Sequence, residues 1–433
     1  MHKRITMRLI PALIAVSFSG GAFAAAFQLT GQSASGVGMA NAGAAAAAED
    51  ASTLYYNPAG MTYLSQGHNI SFATTLLSRS TRFTDEGTGG YLNNPGNPPF
   101  YATGLGKEVG GDGGNGGGLH AVPAFYYSYA LAPQWRLGLA VNPTFADETE
   151  YDKDFAGRYS GLRTKIRIVN VNPSIAYKVN DALSVAFGIN YAKADVEFNQ
   201  AVPRAGQSDG SGALKGDATG WGFNLGAMYQ ITNDTRVGLS YRSTIKFNLE
   251  GDKNQTGQAT RDIYADLTTP DTASLAVRHQ FNDKWAILAD YTWTGWSKLQ
   301  KLEPVYSDGS RAVAPLRYNF KDTYRIGLGS TYQLNNQWML RMGVAFDNGA
   351  VPDNESRTMT VPDQDRTWLS LGAKWKITPQ ASLDIGYAHI FVKDAYTARK
   401  VYSSAAETTV VQTVRGKFET SVDYLSLQLN YSF

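Results

Sequence analysis

The 433-residue chain contains no cysteine. Thiol chemistry is excluded, and stability must come from burial and backbone pairing rather than covalent cross-links. The chain also lacks any run of about 18 apolar residues of the kind a membrane-crossing helix needs, which excludes a helical transporter. Its five histidines, His2, His68, His120, His279 and His389, fall in no metal-spaced cluster. A lipase or protease would need a nucleophile or carboxylate grouped with histidine, yet periodicity places His389 with Ile385 and Tyr387 on an apolar face. No catalytic residue, metal or cofactor is expected. Formal net charge is only +2, and the clustered basic face that nucleic acid demands is missing.

What is present is a composition polar on average yet rich in rings. Mean hydropathy is −0.28, while the chain carries 44 glycines, 25 tyrosines and 8 tryptophans. The one apolar run, LIPALIAVSF, follows Lys3, Arg4 and Arg8 and precedes Ala22, Phe23 and Ala24. That is the pattern of a secretory signal peptide over 1–24, leaving Ala25 first in the mature chain.

At the other end, DYLSLQLNYSF alternates Leu425, Leu427, Leu429, Tyr431 and Phe433 with Ser426, Gln428, Asn430 and Ser432. One apolar and one polar face at period two is what a lipid-facing barrel strand requires. The terminal aromatic resembles the signal read by the barrel assembly machinery of bacterial outer membranes.

Short polar turn signals recur at 132–133, near 181, and at 232–234, 282–283, 335–336 and 378–379, each followed by a strand start such as QWRLGLAV, TRVGLSYR or QWMLRMGV. Longer Gly/Asn/Asp-rich connections lie between them. Short turns on one side and long loops on the other are the periplasmic and extracellular ends of an outer-membrane barrel. Six hairpins plus a first strand near 68–82 and a last near 415–433 predict an all-β, 14-stranded antiparallel transmembrane β-barrel over 67–433. Closure is required because an unpaired backbone group in hydrocarbon costs several kcal/mol.

Faces follow from the alternation. Trp285, Ile287, Ala289, Tyr291 and Trp293 oppose Asp290 and Thr292, and Arg317, Lys321, Arg325 and Thr331 oppose Tyr324, Ile326 and Leu328. A Lys or Arg facing lipid at mid-depth costs about 2 to 4 kcal/mol, so the charged face is assigned to the lumen. Residues 25–66 do not read as strands. They are rich in Ala, Gly and Ser, suited to short helices packed in a confined space, and their Phe27, Leu29, Leu54, Tyr55, Tyr56 and Met61 argue against a disordered tail. A partly helical hatch inside the lumen is expected.

The residues AFQL after the cleavage site, SASGVGMANAG, the triplet Asn57, Pro58 and Ala59, the run AVNPTFADETEYDKDFAGRYSG, then NVNPSIAYKVND and LSVAFGINYAKADVEF, and the aromatic last strand resemble the FadL/TodX family. These are outer-membrane transporters of long-chain fatty acids and other hydrophobic molecules. Phe155, where tryptophan is expected, and a glycine-rich first loop depart from the pattern. The resemblance implies a hatch with Phe27, Leu29, Asn57, Pro58 and Ala59 at the ligand, a lumenal pocket, and exit sideways through a kink in the third strand.

That strand contains Pro143, which cannot donate to a ladder in a barrel that has no edge to hide it. Folding about the 132–133 turn sets Pro123 roughly opposite Asn142, and Pro173 stands on the next strand. Arg163, Lys165 and Arg167 share parity with Val169, Val171 and Ile175, which predicts a bulge and a swap of faces near 169. A side gap lined by Pro123, Asn142, Pro143, Phe145 and Pro173 is expected.

Arg158, Arg163, Lys165, Arg242, Lys246, Arg317, Lys321 and Arg325 are the lumenal cations expected, with Arg158, Lys321 and Arg325 the candidate partners for a carboxylate. GGDGGNGGG, 110–118, is expected to be a mobile loop. The function expected is passive, ligand-gated uptake of hydrophobic molecules by a monomer embedded among outer-membrane lipid and lipopolysaccharide. Aromatic or alkane hydrocarbons, or a general diffusion porin, are the alternatives.

Overall fold

Period-two alternation becomes a wall with two faces. In the last strand Leu425, Leu427 and Leu429 are exposed while Ser426 and Gln428 are buried, so the apolar face looks outward and the polar face inward. The computed structural model describes residues 26–93 and 105–433; the expected signal peptide, 1–24, lies outside them.

Fourteen antiparallel strands run through the described residues. They are β1 His68–Asp85, β2 Leu119–Ala130, β3 Trp135–Glu150, β4 Arg163–Lys178, β5 Leu183–Val202 and β6 Gly210–Gln230. β7 comprises Thr235–Arg242 and Lys246–Gln255, β8 Arg261–Thr268 and Thr272–Gln280, followed by β9 Trp285–Thr294, β10 Thr323–Gln333, β11 Trp338–Asp347 and β12 Arg366–Lys376. β13 comprises Ala381–Val392 and Ala395–Tyr402, and β14 is Val410–Ser432. β14 pairs with β1 from Asn69↔Ser432 to Asp85↔Gly416, which closes the barrel.

Five of the six short turns share one chemistry. Asn180, Asn282 and Asn335 each accept two following backbone N–H groups on Oδ1, and Thr232 and Thr378 do the same through Oγ1. These side chains satisfy the amides that a tight reversal leaves over. At the opposite end β5 and β6 stay paired as far as Val202↔Gly210, well beyond the roughly 9 to 11 residues that cross a bilayer.

This height explains a misplaced expectation. β4 alternates without interruption: even residues from Thr164 to Ala176 are buried, and Arg163, Lys165 and Arg167 share the outward face with Val169 and Ile175. There is no swap of faces near 169. Above the lipid the outer wall meets water, so cations are tolerated there; they pair with Glu148, Glu150, Glu197 and Asp195 on neighbouring strands. Lys246 is likewise exposed beside inward Phe247. The bulge belongs to β3, where the register shifts between Pro143 and Phe145 and Thr144 is the extra residue.

Residues 26–64 fill the lumen. The short helices α1 Ala34–Val37, α2 Ala44–Ala47 and α3 Thr53–Tyr56 lead into a 3-10 turn, Pro58–Tyr63. α1 packs on β12, β13 and β14, α2 on β7, β8 and β9, and the 3-10 turn on β3 to β6. The wall yields space where this backbone touches it: a Cβ at Gly238 would lie 1.9 Å from the Ala45 carbonyl oxygen, and one at Gly343 2.1 Å from that of Met39.

Candidate functional site: a seam in the wall beside an apolar layer

The ladder between β2 and β3 runs from Ala130↔Arg136 to Phe125↔Val141 and stops there. Beyond that point β2 stays paired with β1 as far as Ser78↔Leu119, and β3 with β4 as far as Glu150↔Arg163. Between Val141 and Glu150, therefore, β3 presents an edge that no ladder from β2 covers among the described residues. An edge of this kind within a membrane must find other partners.

The edge finds them one by one. The Leu29 amide donates to Thr144 O at 2.9 Å and the Ala146 amide to Phe27 O at 3.0 Å, so Phe27 to Leu29 form a short antiparallel strand on β3. Gln32 Nε2 donates to Pro143 O at 2.7 Å, while its Oε1 accepts from Asn142 Nδ2 at 2.8 Å. From β1, Arg79 reaches across to Glu148 O at 2.6 Å, Thr149 Oγ1 at 2.7 Å and Asp147 Oδ1 at 3.2 Å. At the top the Glu150 amide donates to Gly116 O at 3.2 Å and that of Gly116 to Thr81 O at 2.9 Å. The glycine stretch 110–118 is thus knit into the rim of the seam instead of forming the mobile loop expected. A Cβ at Gly117 would lie 2.1 Å from Arg79 O, so only glycine brings that backbone close enough.

Inside the seam lies an apolar layer. Phe27 packs edge-on against Trp296 at 4.9 Å and Phe145 at 6.0 Å between ring centroids, surrounded by Ile166, Ile168, Ile245, Phe247, Leu267 and Phe320. Phe145 faces inward because the Thr144 bulge re-aims the upper part of β3. Above this layer, at the long-loop end, opens a vestibule of about 1020 Å³ bordered by Leu92, Leu105, Val202, Leu316, Val401 and Val411 together with Lys253, Arg317 and Arg399. Below it, between hatch and wall, a cavity of about 130 Å³ is lined by Tyr55, Tyr56, Arg242, Asp290 and Arg325.

The structure gathers Phe27, Leu29, Asn142, Pro143 and Phe145 at the seam. Pro123 sits on the facing strand opposite Thr74 of β1; the ladder to β3 has already ended, so it does not meet Asn142. Pro173 is removed from the seam. It pairs with Leu139, and the ladder interrupted around it is the one between β4 and β5, which lacks Asn172 and Pro173. Asn57 is fully buried and acts within the hatch: Nδ2 donates to Ala45 O at 2.8 Å and to Ala227 O of the wall at 3.0 Å, while Oδ1 accepts from the Ala59 amide. Pro58 then opens the 3-10 turn at a position where no amide is needed.

The candidate cations are mostly occupied. Arg325 pairs with Asp290 at 2.8 Å and Asp347 at 3.4 Å, and Arg158 with Asp209 at 3.0 Å. Arg242 donates to Tyr55 O, and Arg341, which the sequence did not single out, ties Glu49 of the hatch to Asp384 of β13. Charge inside the barrel chiefly neutralises charge and fastens the hatch. Lys321 is exposed between β9 and β10, with Arg317, in the long connection rather than on the lumenal face. Gln32 and Arg79 were not anticipated; their partners stand far away in sequence.

A closed barrel with an inward hatch and a sealed side seam defines an outer-membrane transport protein. Residues 15–433 match the family described as outer membrane protein transport protein (OMPP1/FadL/TodX), and the chain belongs to this family. It is 32% identical to outer membrane protein P1 of Haemophilus influenzae (strain Rd) across 96% of each chain. It is 30% identical to the long-chain fatty acid transport protein of Escherichia coli K12 over 90% of this chain and 93% of that one. A crystal structure of a Pseudomonas aeruginosa FadL homologue superposes with a TM-score of 0.83 at 24% identity, covering 94% of this chain and all of that one, and shares the fold. Like its family, the protein is a multi-pass β-barrel of the bacterial outer membrane that moves hydrophobic compounds and is not an enzyme.

Proposed function

We propose that the protein takes up long-chain fatty acids and releases them sideways, through the seam between β2 and β3, into the outer leaflet. The carrying observation is the seam itself: β3 has a free edge beside an apolar layer, closed from within by the Phe27 to Leu29 strand rather than by a neighbouring wall strand. An acyl chain gains about 0.8 kcal/mol per buried methylene, so discharge into periplasmic water opposes transport, whereas a lateral exit keeps the tail out of water. Ligand collects in the vestibule, enters the layer around Trp296, displaces Phe27 and leaves past Asn142 and Pro143. The Asn57, Pro58 and Ala59 turn holds the rest of the hatch while its N-terminal strand moves.

An acid is favoured over a neutral hydrocarbon by the vestibule's charge. Among the described residues Lys253 and Arg399 form no direct salt bridge; Lys253 donates to Ala312 O and Arg399 to Arg317 O. Two cations bordering an apolar recess match a carboxylate with a tail. Arg317 lies beside them but is held by Glu407 at 2.6 Å, and Arg158, Lys321 and Arg325 make weaker candidates for the head group. Replacing both Lys253→Met and Arg399→Leu should raise the half-saturating oleate concentration about tenfold while leaving methyl oleate unchanged. Equal effects on both would turn the reading towards hydrocarbons. A diffusion porin is countered by the filled lumen; ion conductance by the intact protein in planar bilayers would revive it.

A further inference from the structure

We propose that His120, on β2 at the upper end of the seam, is a docking point for the carboxyl head of the departing ligand, an inference that rests on lateral release. His120 lies on the inner face of β2, next to outward Leu119 and opposite Leu77 of β1, in the stretch of β2 whose other edge no longer pairs with β3. It is 8% exposed, and among the described residues neither ring nitrogen has a hydrogen-bond partner. The other described histidines are satisfied: His68 meets the Tyr127 hydroxyl at 2.7 Å, His279 Thr235 Oγ1 at 2.9 Å and His389 Asp423 Oδ1 at 2.8 Å. Leaving a buried imidazole unpaired costs free energy, and such groups in a folded protein call for a reason.

Depth supplies that reason. On the adjoining outer wall Leu76↔Leu425 is the last outward leucine pair, and one step higher Ser78 faces Asp423. His120, level with Leu77, stands where the wall changes from apolar to polar. A fatty acid joining the leaflet leaves its tail in hydrocarbon and its head at that boundary, so the head passes this level on its way out. Across the seam Asp147 Oδ2 is also buried without a partner, and the Arg79 guanidinium bridges the two strands.

The chemistry suits the step. A neutral imidazole carries one donor and one acceptor, so it can donate to a carboxylate or accept from a carboxylic acid. A lysine or arginine can only donate and offers no acceptor to the O–H of the acid. The head can therefore stay bound whichever form it takes as it enters a low-dielectric boundary, where an unpaired charge is costly.

The test uses the full chain in proteoliposomes with oleate and methyl oleate as probes. His120→Leu should lower maximal oleate flux about tenfold at unchanged half-saturation, and leave methyl oleate flux intact. His120→Gln, whose carboxamide also donates and accepts, should restore most of the oleate flux. Equal slowing of both probes by His120→Leu, or of neither, overturns the assignment. Failure of lateral release itself has another signature: a Gln28→Cys/Phe145→Cys disulfide would then leave both fluxes untouched, whatever His120 does.

Discussion

Pinning the N-terminal strand to β3 tests the exit route most directly. Gln28 and Phe145 oppose one another in a short antiparallel bridge. The flanking bonds, Leu29 N to Thr144 O and Ala146 N to Phe27 O, mark them as a non-hydrogen-bonded pair, whose Cα atoms stand about 4.5 Å apart. That spacing accepts a disulfide, and no native cysteine competes for it. In the unmodified protein, release of the strand breaks two backbone hydrogen bonds at about 1 kcal/mol each and exposes Phe27 at about 2 kcal/mol. The sum, about 4 kcal/mol, corresponds to an open population of about one in a thousand without ligand, a level that an incoming acyl chain can raise by replacing Phe27 in the apolar layer. A disulfide removes that population altogether. Oleate uptake by oxidised Gln28→Cys/Phe145→Cys protein should fall to background and return on addition of dithiothreitol. Comparing the two redox states of one protein separates the lock from the loss of the Phe145 ring. Undiminished uptake by fully oxidised protein would refute the seam as the exit.

Two further outcomes follow from the hatch and the loops. Asn57→Ala leaves the Ala45 and Ala227 carbonyls without their donor and the Ala59 amide without its acceptor, a loss of about 2 to 4 kcal/mol in hatch anchoring; planar-bilayer recordings should then reveal intermittent ion conductance, and silence like that of the parent protein would discount Asn57 as the anchor. Glu407 joins the loop before β14 to Arg317 at 2.6 Å. The Arg317 hydrogen bond holds its carboxyl below the usual range despite some burial, aided by the charges of Arg317, Arg311 and Arg399. A depressed carboxylate pKa contributes stability above the ordinary value of about 4.3 and loses it as pH falls through the folded value. Limited proteolysis of the long loops should accelerate below about pH 4, whereas Glu407→Gln should be cleaved readily at pH 7 with little further change on acidification. Loops equally resistant in the variant at pH 7 would show that the pair does not brace them.

Much of the barrel was legible because its information is local. An Asn or Thr at five of the six short turns binds the next amides of its own chain, and Leu425, Leu427 and Leu429 declare a lipid face without reference to any other strand. Pro143 pointed to the seam for the same reason, since a missing donor is a property of one residue. The lumenal cations were harder. Arg325 reads as an available charge until β9 and β11 bring Asp290 and Asp347 to it, and Arg163 reads as lumenal until the height of the wall is known. Period two reports which residues share a face but not the depth at which the bilayer ends.

Strand number, the sets of residues that share a face, and the place where β3 would fail to pair were legible in the sequence alone, because each follows from the two-residue repeat or the covalent chemistry of proline; which side the charged face of β4 looks to was not. Tertiary structure decided how the failed edge is satisfied, that the extra residue is Thr144, and that His120 is left without a partner. Hydrogen-bond satisfaction depends on groups such as Gln32 and Pro143, or Arg79 and Glu148, that only closure of the barrel around its hatch brings within reach.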